Sequence, residues 1–251
     1  MKPISVQLYT LRDASAEDFP AVLRTVAEIG YKGVEIASLN GLEPKEVAKI
    51  ISDLGMVVSS SHIPLPTPEN IQEILDVELA MGNKAVISGF GPKEFTTVDA
   101  CKAAAGKFQQ AAALLKPHGI SFGFHNHWWE FDKVDGKRIY DILIHEAPDA
   151  FSELDVYWTA AGKADPIEVV SQYKSRLPYL HIKDGMLEEG SVVHTAVGSG
   201  KLDIPGIIKA ADPNVLKWLV VELDNCDTDM TEAVRQSYIY LTSNGLAAGN
   251  K

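Results

Sequence analysis

Strand-like and helix-like segments alternate along the whole chain, about eight times over. Apolar runs at 4–10, 33–37, 56–63, 84–88, 120–127, 151–157, 177–182 and 216–223 read as strands. Between and after them lie helical segments at 16–29, 43–54, 69–81, 98–118, 138–146, 166–173, 205–211 and 230–242. In 16–29, for example, Phe19, Val22, Leu23, Val26 and Ile29 fall on one face, and Gly30 supplies a C-terminal stop. Gly55, Gly82 and Gly119 close three more helices, and Pro64, Pro66 and Pro68 force a loop. Repeated strand–helix units build a parallel sheet through right-handed crossovers. An open sheet would want a glycine-rich phosphate turn after its first strand, but that strand runs into Tyr9-Thr10-Leu11-Arg12. Eight units favour closure, so the expected architecture is α/β, a single (β/α)8 barrel over residues 1–251. The long 183–204 loop is expected to act as a lid or a dimer contact, and the 246–251 tail to fray.

Charge narrows the partners. The 251 residues carry a formal net charge of -11, so the chain repels phosphate backbones and anionic membrane surfaces. Nucleic acid and membrane are excluded as expected partners, while a homo-oligomer stays open. Two distant cysteines, Cys101 and Cys226, imply neither a disulfide framework nor a cysteine zinc site, and are expected as buried thiols. No apolar run reaches the roughly 18–20 residues of a membrane span. The start, MKPISVQLYTLRD, lacks the basic and apolar regions of a signal peptide, which makes the cytoplasm the default location.

Chemistry concentrates at the ends of the later strands. The apolar run Ile120–Phe124 opens into His125-Asn126-His127, Trp128, Trp129 and Glu130. The pattern recurs at Asp155 in SELDVYW, at His181 in YLHIKD and at Glu222 in WLVVELD. Barrel active sites lie at the C-terminal ends of the strands. Alone, a strand-end carboxylate is more often a salt-bridge or cap partner, and a lone buried histidine a hydrogen-bonded core residue. Four such groups on adjacent strands five to eight point instead to one divalent metal, and an oxygen-rich set suits Mn²⁺ best, with Mg²⁺, Co²⁺ or Zn²⁺ as substitutes. Glu222 follows Trp218-Leu219-Val220-Val221, where an unpaired charge is costly, and coordination would offset that cost.

An ordered set of motifs carries a resemblance: QLYTLRD (7–13), GYKGVEIA (30–37), SSHIP (60–64), GFHNHWWEF (123–131), ELDVYW (153–158), LPYLHIKD (177–184), VGSGKLD (197–203) and VVELD (220–224). Over nearly its full length the chain resembles the xylose isomerase-like TIM barrel superfamily, which includes sugar isomerases and epimerases, inosose dehydratases and type IV AP endonucleases. In the ketose epimerases the metal takes Glu, Asp, His and Glu from strands five to eight. The resemblance thus implies Asp155, His181 and Glu222 as ligands. The strand-five glutamate is replaced near His125, so the fourth ligand is expected to be Glu130, with His125 or His127 as the substitute.

The expected activity is metal-dependent isomerisation or epimerisation of a carbohydrate by proton abstraction beside a carbonyl, through an enediolate. Glu222 or His127 would take the proton, and Lys183 and His62 would hold hydroxyls or share developing charge. Gln7, Tyr9 and His125 would contact the sugar, and Trp128, Trp129 and Trp158 would form apolar walls. The tryptophans have an equal claim as core or oligomer packing, and Lys183 as a salt-bridge partner near Asp184. With Arg12 and Lys183 the only obvious basic groups near the site, a neutral sugar is favoured over a sugar phosphate. Three other readings compete: a lyase acting on keto-inositols or 3-keto-glycosides, a phosphodiesterase needing more histidines and a basic groove, and a barrel that only binds a sugar or a protein.

Overall fold

A computed structural model describes residues 1–187 and 193–251. Eight parallel strands are β1 (Lys2–Gln7), β2 (Gly33–Ile36), β3 (Val57–His62), β4 (Ala85–Ser88), β5 (Ser121–His125), β6 (Phe151–Asp155), β7 (Tyr179–Ile182) and β8 (Trp218–Val221). Each pairs with its neighbours in sequence order, and β8 returns to β1 in the register Ile4–Leu219, which closes the barrel. Around it lie α1 (Arg12–Ile29), α2 (Pro44–Asp53), α3 (Ile71–Ala80), α4 (Val98–Leu115), α5 (Ile139–Glu146), α6 (Val156–Ala161), α7 (Pro166–Tyr173), α8 (Ile204–Ala210) and α9 (Met230–Ser243). No helix among the described residues is long and apolar enough to cross a membrane.

Side-chain caps set several boundaries. Thr97 accepts a hydrogen bond from the Ala100 N–H at the start of α4, and Asp229 from the Glu232 N–H at the start of α9. In α1 the backbone breaks at Asp18 (φ -151°, ψ 87°), two residues before Pro20, and the Asp18 carboxylate accepts from the Ala21 N–H to restart the helix.

Among the departures from the sequence reading, three have a clear local reason. β1 stops at Gln7 because the Gln7 side chain accepts the Tyr9 N–H and opens a 3₁₀ turn over Leu8–Leu11. β6 stops at Asp155, whose carboxylate caps the Trp158 N–H and starts α6 at once. The expected fraying of the tail is corrected: Ala247–Ala248 pairs with β1, Asn250 donates to the Tyr31 carbonyl, and the Lys251 N–H donates to the Tyr238 hydroxyl. The long loop after β7 begins as a two-stranded hairpin, Asp184–Met186 with Val193–Thr195. Asp184 then gathers the N–H groups of Gly185, Gly198, Gly200 and Leu202. The expected lid or dimer role rests partly on 188–192, which lie outside the described residues. Cys101 is buried and Cys226 half-buried, and both are free thiols.

Alternate residues of a strand share a face, so the barrel interior can be read in layers. Its floor is apolar: Phe151, Tyr179 and Trp218 pack with Ala85 and Val220. Gly123 of β5 belongs there because a Cβ would collide with the Phe151 ring. Higher up, the Tyr179 hydroxyl donates to the Ser59 carbonyl and Ser5 bonds Ser59 at 2.7 Å. Further along the strands the interior turns polar and mostly ionisable, at Gln7, Glu35, His125, Glu153, Asp155, His181 and Glu222. The fold therefore leads from an apolar plug to a charged mouth.

Candidate metal centre

At that mouth, one ligand atom each from His125, Asp155, His181 and Glu222 lies within 4.8 Å of the other three. The four side chains come from β5, β6, β7 and the residue following β8, and all are buried. Nδ1 of His181 sits 2.9 Å from Oε2 of Glu222 and 4.0 Å from Oδ2 of Asp155. Nε2 of His125 is 3.6 Å from the same Asp155 oxygen. Both ring nitrogens of His125 are buried without a hydrogen-bond partner among the described residues. Buried polar atoms are normally satisfied, and a cation accepting a lone pair from one of these nitrogens would satisfy it. The residues present therefore fit a metal ion, in a mixed set of two imidazoles and two carboxylates.

A second polar shell holds His181. Its Nε2 lies 3.1 Å from Oε1 of Glu35 and 3.0 Å from Oε2 of Glu153. Glu35 in turn accepts from the Gln7 amide and the Ser60 hydroxyl, both at 2.5 Å. Burial pushes Glu35 up, but the charge and hydrogen bond of His181 outweigh it and hold the carboxyl down at about 2. Burial and the adjacent Glu35 charge push Glu153 well up, so one of the two acids keeps a proton. Burial alone would lower His181, but Glu153, Glu222 and Glu35 together raise it well above the usual imidazole range. As a ligand it would have to give up that proton.

Lys183 is wholly buried beside this group. Its Nζ lies 3.1 Å from Asp155 Oδ2, 2.9 Å from Glu222 Oε2 and 2.7 Å from Asp224 Oδ2. The three carboxylates outweigh burial and keep the amine charged, its pKa raised further. Glu222 is held well below the carboxylate range, because Lys183 and His181 outweigh its burial.

A cavity of about 340 Å³ opens above, lined by Gln7, Tyr9, Ala37, His62, His125, His127, Trp158, Glu222 and Asp224. That is at the small end of ligand sites, which run roughly 300–1,000 Å³. Burial pushes the imidazoles of His62 and His127 down, His127 to about 4, so both are neutral at pH 7. His127 is clamped in place. Its ring stacks on Trp129 at 4.2 Å, the Trp129 indole donates to the Phe90 carbonyl, and its own N–H donates to Glu130. A larger hollow of about 620 Å³ lies on the outer flank, lined by residues such as Lys102, Arg138, Asp141 and His145. No barrel strand end reaches it.

The expected residues divide accordingly. Asp155, His181 and Glu222 come together, and His125 joins them. Glu130 does not belong to the group. It sits in the 3₁₀ turn Trp129–Phe131, where it accepts the His127 N–H at 2.8 Å, and burial lifts its carboxyl to about 8. Gln7, Tyr9, His62, His125, His127 and Trp158 line the cavity. The Gln7 amide, however, is already engaged by Glu35 and the Tyr9 N–H. Trp128 is exposed and packs on Trp158 at 4.8 Å, outside the cavity lining. Lys183 does not reach the cavity surface, and its partners are Asp155, Glu222 and Asp224 rather than groups near Asp184.

A sequence model described as xylose isomerase-like TIM barrel matches residues 23–243. The chain belongs to this family. Solved structures similar to this xylose isomerase-like barrel include two sugar phosphate isomerases/epimerases from Parabacteroides distasonis. One is 26% identical with a TM-score of 0.85, covering 98% of this chain and 96% of the other. The second is 27% identical with a TM-score of 0.83, covering 99% and 100%. The IolI protein, solved with a zinc atom, shares the fold at 14% identity and a TM-score of 0.73, with 98% of each chain covered. No curated protein matches the chain.

Three residues of this xylose isomerase-like barrel were given no role by the sequence. Glu153 lies two positions before Asp155 and so on the same inner face, a signal that strand periodicity offered. Glu35 stood at a strand end but had no partner visible in the sequence. His194 accepts the Asp224 N–H on Nδ1 at 3.0 Å and stacks edge-on against Tyr157 and Trp158. It comes from the second hairpin strand, far in sequence from any motif around Asp155 or Glu222.

Proposed function

We propose that the protein is a divalent-metal-dependent isomerase or epimerase of unphosphorylated keto-sugars. The observation that carries this is the convergence of His125, Asp155, His181 and Glu222 at the floor of a small polar cavity. Exchanging Glu130 for His125 moves the donor set toward nitrogen, which favours Zn²⁺ or Co²⁺ over Mn²⁺ or Mg²⁺; the zinc in IolI is in keeping with this. A bound ion would polarise a sugar carbonyl and its neighbouring hydroxyl, making the adjacent C–H acidic.

The chain's own groups supply the rest. His127 is neutral, and its buried Nδ1 has no partner among the described residues, so it can take a proton at pH 7. His62, also neutral, lines the same cavity and can hold a sugar hydroxyl, while the proton that His127 has taken returns to the enediolate from His127 itself. The Trp158 ring offers an apolar face to sugar C–H groups.

Charge argues against a phosphate. Among the described residues no lysine or arginine lines the cavity, whereas Glu222 and Asp224 do. Arg12 donates instead to the Tyr9 and Asp224 carbonyls. Residues 188–192, EEGSV, add no cation.

A lyase acting on keto-inositols or 3-keto-glycosides is the second reading. Having His125 on β5 leaves the cavity without one of the two acids that would pass a proton between sugar faces. Elimination needs one base and a departing group. The test is to load the protein with Mn²⁺ or Zn²⁺, verify binding, and follow ketohexoses, their phosphates, inososes and 3-keto-glucosides in D₂O by NMR. Deuterium beside the carbonyl with an epimer formed from a free ketose supports the proposal. Release of water or aglycone without an epimer transfers it to the lyase. Metal-loaded protein that exchanges no proton in any of these overturns both.

A further inference from the structure

The oxygens that a metal would use are already shared with a cation of the chain itself. Asp155 Oδ2 and Glu222 Oε2 belong to the four-donor group, and they are the atoms that Lys183 approaches at 3.1 and 2.9 Å. Lys183 is fully covered and lines no part of the cavity, so it has no route to a substrate in this arrangement. Its shortest contact, 2.7 Å, is to a different carboxylate, Asp224, which does line the cavity and is part-exposed. The Trp158 ring, another cavity residue, lies 5.1 Å from the same ammonium.

We propose that Lys183 is a resident counter-cation that occupies the metal's carboxylates in the metal-free protein and is displaced toward Asp224 when a divalent ion binds. Two cations cannot share Asp155 Oδ2 and Glu222 Oε2 without strong mutual repulsion. Without Lys183, buried Asp155 and Glu222 and part-exposed Asp224 would lose the one ammonium they share. Lys183 therefore keeps the empty centre foldable and at the same time weakens metal binding by competition. Displacement brings the ammonium to the carboxylate that faces the cavity, so loading the metal would also present a positive charge to the substrate. The lack of a lysine or arginine in the metal-free cavity lining, among the described residues, and the buried lysine thus become two aspects of one arrangement.

This rests on the metal reading above, and calorimetric titration of chelator-stripped protein with Mn²⁺ separates the two. Lys183→Met is expected to bind Mn²⁺ at least tenfold tighter than wild type, and to melt lower than wild type without metal but recover with it. Lys183→Arg, which keeps the charge, is expected to stay within about threefold of wild type. Wild type that binds Mn²⁺ while a folded Lys183→Met binds it no tighter overturns this inference alone. Mn²⁺ bound by neither protein overturns the metal reading and the inference with it. Should Lys183→Met fail to fold, ¹H–¹⁵N spectra of lysine ammonium groups in the wild type decide, with Lys183→Arg identifying the signal. The Lys183 ammonium, sequestered without metal, is expected to shift and exchange faster with water on adding Zn²⁺. An unchanged signal with Zn²⁺ bound overturns the inference.

Discussion

Nε2 of His181 lies 3.1 Å from Oε1 of Glu35, on the side of the ring opposite the nitrogen that faces Glu222. That is the carboxylate–histidine arrangement that orients a metal-binding imidazole and raises its basicity. Glu35→Gln keeps the size and removes the charge. It is expected to weaken Mn²⁺ binding roughly 10–100-fold, the usual cost of losing such a partner. Titration calorimetry in two buffers of different ionisation enthalpy checks it. The same experiment should show proton release on binding in the wild type, because His181 is charged without metal.

Ligand identity on strand five separates the sequence reading from the structure. His125→Ala is expected to lose at least a hundredfold in metal affinity, whereas Glu130→Gln should stay within about threefold of wild type. Equal losses in the two variants would restore Glu130 to the ligand set.

Glu130 also has a pH signature. Burial raises its carboxyl from the usual 4.5 to about 8 in the folded chain. Between those values the folded state holds a proton that the unfolded chain has released, so rising pH favours unfolding. The contribution is nil below about pH 4.5, costs about 1.4 kcal/mol per pH unit through the window, and levels off above about pH 8. Gln at this position can still accept the His127 N–H. Denaturant midpoints should therefore show Glu130→Gln gaining on wild type as pH climbs from 5 to 8. A constant difference across that range would rule the assignment out.

Gly123 tests the barrel floor. A Cβ there meets the Phe151 ring, so Gly123→Ala is expected to cost about 1–3 kcal/mol of stability, as overpacked core substitutions do. Adding Phe151→Leu should recover much of it. Thermal melts of the single and double variants read this directly.

The sequence by itself determined the number and order of the strand–helix units, because apolar periodicity and glycine stops are local signals. It also placed Asp155, His181 and Glu222 at strand ends, because a two-residue period puts every second side chain inside the barrel. It misjudged where β6 ends, since an aspartate that caps its own following helix looks the same in sequence as one that continues a strand. It chose Glu130 over His125 because spacing along a chain says nothing about which way a turn carries a side chain. Only closure of the barrel decided that Glu35 of β2 would support His181 of β7, 146 residues away. The same closure set Lys183 among three carboxylates from two segments, Asp155 at the end of β6 and Glu222 and Asp224 just after β8. Those relationships depend on distances across a cylinder, and no local pattern encodes them.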